Sequence, residues 1–313
     1  MPYSRITAGL MLLGMISSAQ AAALKHIGVS LSDLGNPFFV RIAEGVEETA
    51  HRIAGPSVKV TVVSSAYDLQ RQIAQMEDFI TRKVDLIVLN AADPVAIEPV
   101  VGRARDAGIK VVAVDVNATG ADVTITTDNL KAGQMSCQAL ADKLGGKGNV
   151  VILNGPPVSS VIDRVRGCKQ ILGKYPGIRL LSQDKNGGGS REGGIAKMTE
   201  ILSTYANIQG LFTINDPTAI GAEEAIIQTR RKRMIIMSID GAPSIEARLK
   251  DPTSMIEGSA TQSPDKMAQL AVEVGYQMIN GKPPKQTTIL IPPVWITKQN
   301  VKQYKGWGSG AKY

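Results

Sequence analysis

Four polar residues recur at one spacing. Asn90 and Asp115 stand 25 residues apart, and so do Asn215 and Asp240. Each pair is embedded in the same pattern: an apolar run ending in Asn, an amphipathic stretch, then a second apolar run ending in Asp. The first copy runs from Asp85-Leu86-Ile87-Val88-Leu89-Asn90 to Val112-Ala113-Val114-Asp115, the second from Leu211-Phe212-Thr213-Ile214-Asn215 to Ile236-Met237-Ser238-Ile239-Asp240. An amide donates and accepts hydrogen bonds, and a carboxylate accepts them. Two amides and two carboxylates on one cleft would grip a polar solute. The preceding stretches match as well, Ile73-Ala74-Gln75-Met76 against Ile195-Ala196-Lys197-Met198. The chain thus contains two similar halves that divide near Asp128.

The apolar runs are short, β-branched and continuous, the pattern of parallel strands buried on both faces. Strands are expected at His26–Leu31, 58–64, 86–90, 111–115, 124–127, 149–153, 178–183, 211–214, 235–239, 259–260 and Trp295–Thr297. Helices are expected between them over 38–53, 69–83, 94–107, 132–144, 191–205, 217–229 and 265–279. Strand–helix alternation predicts an α/β fold of two doubly wound parallel-sheet lobes. In such sheets ligands bind beyond the carboxyl ends of the strands, where Asn90, Asp115, Asn215 and Asp240 fall. Asp93-Pro94 and Asp216-Pro217 read as helix caps followed by Pro at the first helical turn.

Length and composition set the frame. The 313 residues suit two domains, and 43% hydrophobic with 20% charged residues is ordinary globular composition. Residues 1–21 read as a secretory leader: Arg5, an apolar Ile6–Ile16 stretch, and Ala19-Gln20-Ala21 as a cleavage site before Ala22. The apolar run is too short to span a membrane. The expected location is periplasmic. Cys137 and Cys168 would then meet an oxidising compartment, where an even pair predicts a disulfide; two separate buried thiols are the alternative. The net charge is +7, and Arg230-Arg231-Lys232-Arg233 reads as a solvated helix end, not a nucleic-acid site.

With two His residues and no G-x-G-x-x-G, phosphate-loop, G-x-S-x-G or H-E-x-x-H pattern, the sequence offers no catalytic apparatus, metal cage or cofactor site. A paired-carboxylate role for Asp115 and Asp240 is the one enzymatic reading, and no further residue supports it.

With these residues in place, the chain resembles periplasmic sugar-binding proteins of the ribose-binding type. The segments that carry the resemblance are Asn36-Pro37-Phe38-Phe39, Arg164 with Gly167, Asn215-Asp216, Asp240-Gly241 and Gln262-x-Pro264, all in order. The resemblance implies that Phe38 and Phe39 present an aromatic wall to a sugar. It implies that Asn36, Asn90, Asn215 and Gln262 exchange hydrogen bonds with hydroxyls, that Asp115 and Asp240 accept from them, and that Arg164 adds a charged fork. Each residue also has a structural alternative: Phe38 or Phe39 as core, Asn36 as a cap, Arg164 paired with Asp163, Asp240-Gly241 as a turn, Gln262 as a hinge.

The family architecture implies three hinge crossings, near 127–128, 262–263 and 288–291. The lobes would comprise 22–127 with 263–289, and 128–262 with 290–313. The implied role is capture of a monosaccharide or polyol and delivery to an ABC permease by a monomer, without cofactor, catalysis or nucleic acid. The alternative is a ligand sensor presenting its closed form to a membrane receptor such as a chemoreceptor. The sequence departs from the ribose-binding pattern in three places. Val116 replaces an Arg, Ile239 replaces an aromatic, and Asn186-Gly187-Gly188-Gly189-Ser190 replaces an aromatic loop. These point to another pentose, a small sugar or an acyclic polyol. The Gly-rich tail Tyr304-Lys305-Gly306-Trp307-Gly308-Ser309-Gly310 is left open between a frayed end and a segment packed on a lobe.

Overall fold

The computed structural model describes residues 23–307. The expected leader and the end of the Gly-rich tail lie outside the described residues. In chain order the first elements are β1 (His26–Leu31), α1 (Pro37–Ala54), β2 (Lys59–Ser64), α2 (Leu69–Thr81), β3 (Leu86–Leu89), α3 (Glu98–Asp106), β4 (Lys110–Val114) and β5 (Val123–Thr127). There follow α4 (Asn129–Lys143), β6 (Lys147–Leu153), α5 (Ser159–Leu172), β7 (Gly177–Ser182), α6 (Arg191–Thr204), β8 (Gly210–Thr213), α7 (Asp216–Gln228), β9 (Ile235–Asp240), α8 (Pro243–Lys250) and β10 (Ile256–Thr261). The chain ends with α9 (Pro264–Ile279), β11 (Thr288–Ile291), β12 (Trp295–Thr297) and a 3-10 turn at Val301–Gln303.

These strands form two six-stranded sheets of matching order, β2-β1-β3-β4-β5-β11 and β7-β6-β8-β9-β10-β12. Every strand pairing is parallel except β10 with β12. The repeat seen in the sequence is therefore a repeat of topology. β3 is buried along its whole length, as its unbroken apolar run requires.

α1 shows how local chemistry sets an element. Asn36 caps it by accepting from the Phe38 N–H at 3.0 Å, Pro37 occupies the first turn, and Gly55 at φ 87° ends it. Its inner face, Phe38, Phe39, Ile42, Val46 and Ala50, packs with Met267, Ala268, Ala271 and Val272 of α9. α9 thus returns to the first lobe after β10 has completed the parallel strands of the second. In the second lobe, α4 and α5 cross so closely that a Cβ on Gly133 would overlap the Arg164 carbonyl, and one on Gly167 the Leu130 carbonyl. At this crossing the Sγ atoms of Cys137 and Cys168 are bonded, with Cα atoms 5.0 Å apart.

Three sequence expectations change. Residues 288–291 form β11, which pairs in register with β5 through Ile291 and Thr127 before the chain crosses to the second sheet. The exposed edge of β5 takes a strand where a plain crossing was expected. α8 was not expected; it is eight residues long and buries only Ile245 and Leu249, too short a stripe to show a period. Asp216 does not cap its helix. Asn215 does, accepting from the Thr218 N–H at 3.1 Å, while fully buried Asp216 accepts from the Ala242 N–H and the Ser259 hydroxyl, each at 2.8 Å. Asp93 does not cap α3 either: it takes the N–H groups of Val95 and Ala96 at 2.9 and 2.8 Å in the turns ahead of the helix, whose N-cap position is Ile97 and carries no side-chain cap.

The basic run at 230–233 follows the end of α7 at the surface, with Arg230, Lys232 and Arg233 exposed, and two of its side chains are tied to backbone carbonyls. The Arg231 guanidinium donates to the Leu202 and Ala206 carbonyls, and that of Arg233 to the Thr253 and Ser254 carbonyls.

Candidate functional site: the interlobe cleft

The carboxyl ends of both sheets face one another across a cavity of about 40 Å³. The first lobe contributes Asn36, Phe38 and Phe39 after β1, Tyr67 after β2, Asn90 after β3, and Asp115 and Val116 after β4. The second contributes Pro156, Val158, Ser160, Val161 and Arg164 after β6, Gly189 after β7, Ile214 and Asn215 after β8, Asp240 at the end of β9 and Gln262 after β10. All nine residues singled out in the sequence lie on this one cavity. An outer groove of about 770 Å³ adjoins it, sharing Asn36 and Gly189. The lobes touch beside the cavity, where the Asn117 N–H donates to Ser159 Oγ at 2.9 Å.

Arg164 is the electrostatic centre. It is 4% exposed. Its Nε donates to Asn129 Oδ1 and its Nη1 to the Ile214 carbonyl, each at 2.8 Å. Its nitrogens lie 3.5 Å from Asp240 Oδ1 and 4.0 Å from Asp115 Oδ1. Asp163, its sequence neighbour and alternative partner, pairs with Arg166 at 2.9 Å. One guanidinium therefore faces carboxylates from both lobes.

The two carboxylates are held alike. Asp115 and Asp240 have φ values of 63° and 139°, regions that non-glycine residues rarely adopt. Such strain persists where the surroundings over-determine it, and it gathers at functional sites. Asp115 Oδ2 accepts from Asn90 Nδ2 at 3.2 Å, whereas its buried Oδ1 has no hydrogen-bond partner. Asp240 Oδ1 accepts from Gln262 Nε2 at 2.8 Å and its Oδ2 from the Asp216 N–H at 3.3 Å. Burial raises the Asp115 carboxyl above its ordinary range against the pull of Arg164. Burial raises Asp240 to about 6, again against Arg164. Asp216, behind it, is raised by burial and then by the charge of Asp240.

The amides differ between the repeats. Asn90 is fully buried; its Oδ1 accepts from the Ser32 hydroxyl and its Nδ2 also reaches the Val114 carbonyl at 3.1 Å. Asn215 gives its Oδ1 to the helix cap and its Nδ2 to the Gly189 carbonyl at 2.8 Å. Gln262 joins the hinge to the site. Its Oε1 accepts from the Thr127 hydroxyl at 2.9 Å while its Nε2 holds Asp240.

Phe38 and Phe39 are both buried and meet edge to face at 5.3 Å. A third ring on the cavity was missed in the sequence. Tyr67 follows Ala66, and the pair have φ values of 57° and 51°, which turn the ring into the cleft. Its hydroxyl is raised by burial and by the negative charges of Asp115, Asp33 and Asp240. The one available signal was an aromatic just beyond the carboxyl end of a strand. Val116 and Gly189 stand on the cavity where the ribose-binding pattern has larger polar or aromatic groups, while Ile239 is core.

This fold and cleft define a two-lobed binding protein, and the chain belongs to the periplasmic binding protein family. The Periplasmic binding protein domain matches residues 27–283. A ribose import binding protein of Bacillus subtilis is 32% identical over 265 residues, covering 83% of this chain and 84% of the relative. A xylitol-binding protein of Mycolicibacterium smegmatis is 29% identical, covering 94% of this chain and 83% of the relative. The crystal structure of an ABC transporter solute-binding protein from Bacillus halodurans, with bound myo-inositol, superposes with a TM-score of 0.82 at 25% identity, covering 92% and 99% of the two chains. The protein is of the periplasmic ribose-binding type, a sugar-binding protein and not an enzyme. Among the described residues no helix is long and apolar enough to cross a membrane.

Proposed function

We propose that this protein captures a small sugar or polyol in the interlobe cleft, in the periplasm, and delivers it to an ABC permease. The observation that carries this reading is the convergence of Asp115 and Asp240, one from each lobe, on buried Arg164, with Asp115 Oδ1 buried and unpartnered. A buried acceptor without a donor is costly unless a ligand hydroxyl supplies one. Phe38, Phe39 and Tyr67 offer rings to the C–H faces of the same molecule, and Asn36, Asn90, Asn215 and Gln262 complete the polar lining. Because both lobes contact the ligand, binding favours the closed arrangement and creates the surface a permease recognises.

The relatives' names point to ribose, xylitol and myo-inositol, all dense in hydroxyls. Val116 removes the guanidinium expected beside Asp115. The preferred ligand is therefore a pentose other than ribose, a small sugar or an acyclic polyol. The test is a thermal-shift screen of unfolded and refolded protein against pentoses, hexoses, pentitols, hexitols and inositols. A ligand at 100 times its Kd adds about 2.7 kcal/mol, enough to move the midpoint by several degrees. A screen with no shift overturns sugar capture. A calorimetric series with ribose tightest overturns the ligand preference alone.

Affinity should depend on acidity. Ionised, Asp240 can accept from ligand hydroxyls with both oxygens, and its carboxyl is raised to about 6. Lowering the pH from 7 to 5 should weaken binding of the best ligand about tenfold. The contribution of Asp240 to stability runs the other way. A carboxyl raised on folding binds more protons folded than unfolded, so its contribution is largest at low pH and is lost as pH rises through about 6. Asp240→Asn should flatten both trends, and equal affinity at the two pH values in the unaltered protein would refute the argument.

A further inference from the structure

The tail that the sequence left undecided makes a contact between the lobes. After β12 and the 3-10 turn it runs along the second lobe, where the Tyr304 hydroxyl donates to the Gly241 carbonyl at 2.9 Å. Gly306, at φ 67°, bends the chain beside Glu246. Trp307 then donates its indole N–H to the Asp240 carbonyl at 3.1 Å. The same carbonyl accepts from the Gln262 N–H at 2.8 Å, so the end of β9, the hinge and the tail meet at one oxygen. The indole does not stay within its own lobe. Its ring stands edge-on to Phe38 of α1, centroids 5.7 Å apart and planes at 68°, and it packs against the apolar core of the first lobe. Trp307, Phe38 and Phe39 form a row of edge-to-face rings that begins on the second lobe and ends in the first.

We infer that Trp307 is a positioning residue: a strap that ties the carbonyl of Asp240 to the ring of Phe38 and sets the balance between open and closed lobes in the absence of ligand. The lobes cannot part by hinge motion without breaking the ring contact or peeling the tail from Asp240. An edge-to-face aromatic pair is worth a factor of about 2 to 10 in such an equilibrium. The strap therefore raises the closed fraction of ligand-free protein by that factor. It raises apparent affinity in proportion, because ligand then meets a larger binding-competent population. This effect stands on the two-lobe hinge and does not require the ligand to be a sugar.

The experiment needs no ligand. Cysteines placed at Val95 and Ile162, which are 68% and 53% exposed on different lobes, accept spin labels while Cys137 and Cys168 stay bonded. Double electron–electron resonance on the refolded, ligand-free full chain then reads the interlobe distances. Trp307→Ala should raise the ratio of open to closed populations about 2- to 10-fold, and Phe38→Leu should do the same from the other lobe. The double variant should shift little beyond either single one, since both remove one contact. If Trp307→Ala does not melt cooperatively, Trp307→Leu, which keeps apolar bulk without a ring, takes its place with the same expectations. A lowered melting temperature with unchanged distances shows a merely structural tail and overturns the strap. So do fully additive shifts in the double variant.

Discussion

Arg164→Met should destabilise the protein by about 3–5 kcal/mol at neutral pH and abolish ligand binding. The size follows from what the guanidinium leaves behind. Removing one partner of a buried ion pair strands the other, and that penalty dominates. Here Asp115 and Asp240 both face the lost charge, with raised Asp216 directly behind, and the Ile214 carbonyl loses its donor. Met keeps the apolar bulk, so the loss reads as charge and hydrogen bonding. The carboxyls would answer by taking up protons, so the variant should recover part of its stability on acidification from pH 7.5 to 5. Arg164→Lys should recover little of the stability, because an ammonium cannot serve Asn129, Ile214 and two carboxylates from one planar fork. Thermal unfolding and calorimetry measure both effects. A Met variant that melts with the unaltered protein and binds as well would show that Arg164 is neither keystone nor ligand partner.

The second large effect is on stability alone. Replacing Cys137 and Cys168 together by Ser should cost roughly 3–4 kcal/mol. Their bond closes a loop between residues 31 apart, and the chain-entropy relation gives that magnitude. The cleft should survive. α4 and α5 already approach too closely at Gly133 and Gly167 to admit a methyl group, and Arg164 is fixed by Asn129 and the Ile214 carbonyl. The expected result is a melting temperature lower by several degrees with ligand affinity changed less than threefold or so. An affinity loss as large as that of the Arg164 variants would mean that the bond shapes the site and not merely the unfolded chain.

Much of the fold was legible because buried parallel strands write themselves as unbroken apolar runs, as at Leu86–Leu89, and because a cap followed by Pro, as at Asn36-Pro37, announces a helix start. The repeat was legible for the same reason: equal spacing of strand-end polar residues survives when the residues between them change. What was not legible depended on partners remote in the chain. Whether Asn215 or Asp216 caps α7 is decided by Ala242 and Ser259, which draw Asp216 into the interior. Tyr67 reaches the cavity through two consecutive positive φ values at residues that give no such hint. The tail Trp307 found its place only through the Asp240 carbonyl and Phe38. For the site, spacing and strand-end position brought out Asn90, Asp115, Asn215 and Asp240, the family resemblance added Asn36, Phe38, Phe39, Arg164 and Gln262, and the fold gathers all nine around one cavity; their binding roles are the proposal made above.

Gln262 holds Asp240 with one end of its amide and Thr127 with the other, and Thr127 and Gln262 are the last residues before two of the chain crossings. The site thus sits beside the fulcrum of the molecule. A rotation that alters these hydrogen bonds by a fraction of an ångström sweeps the distant ends of both lobes through a much longer arc. In the closure proposed above, the cleft is the short arm of a lever, and a permease that reads the protein from outside gains most by gripping the long one.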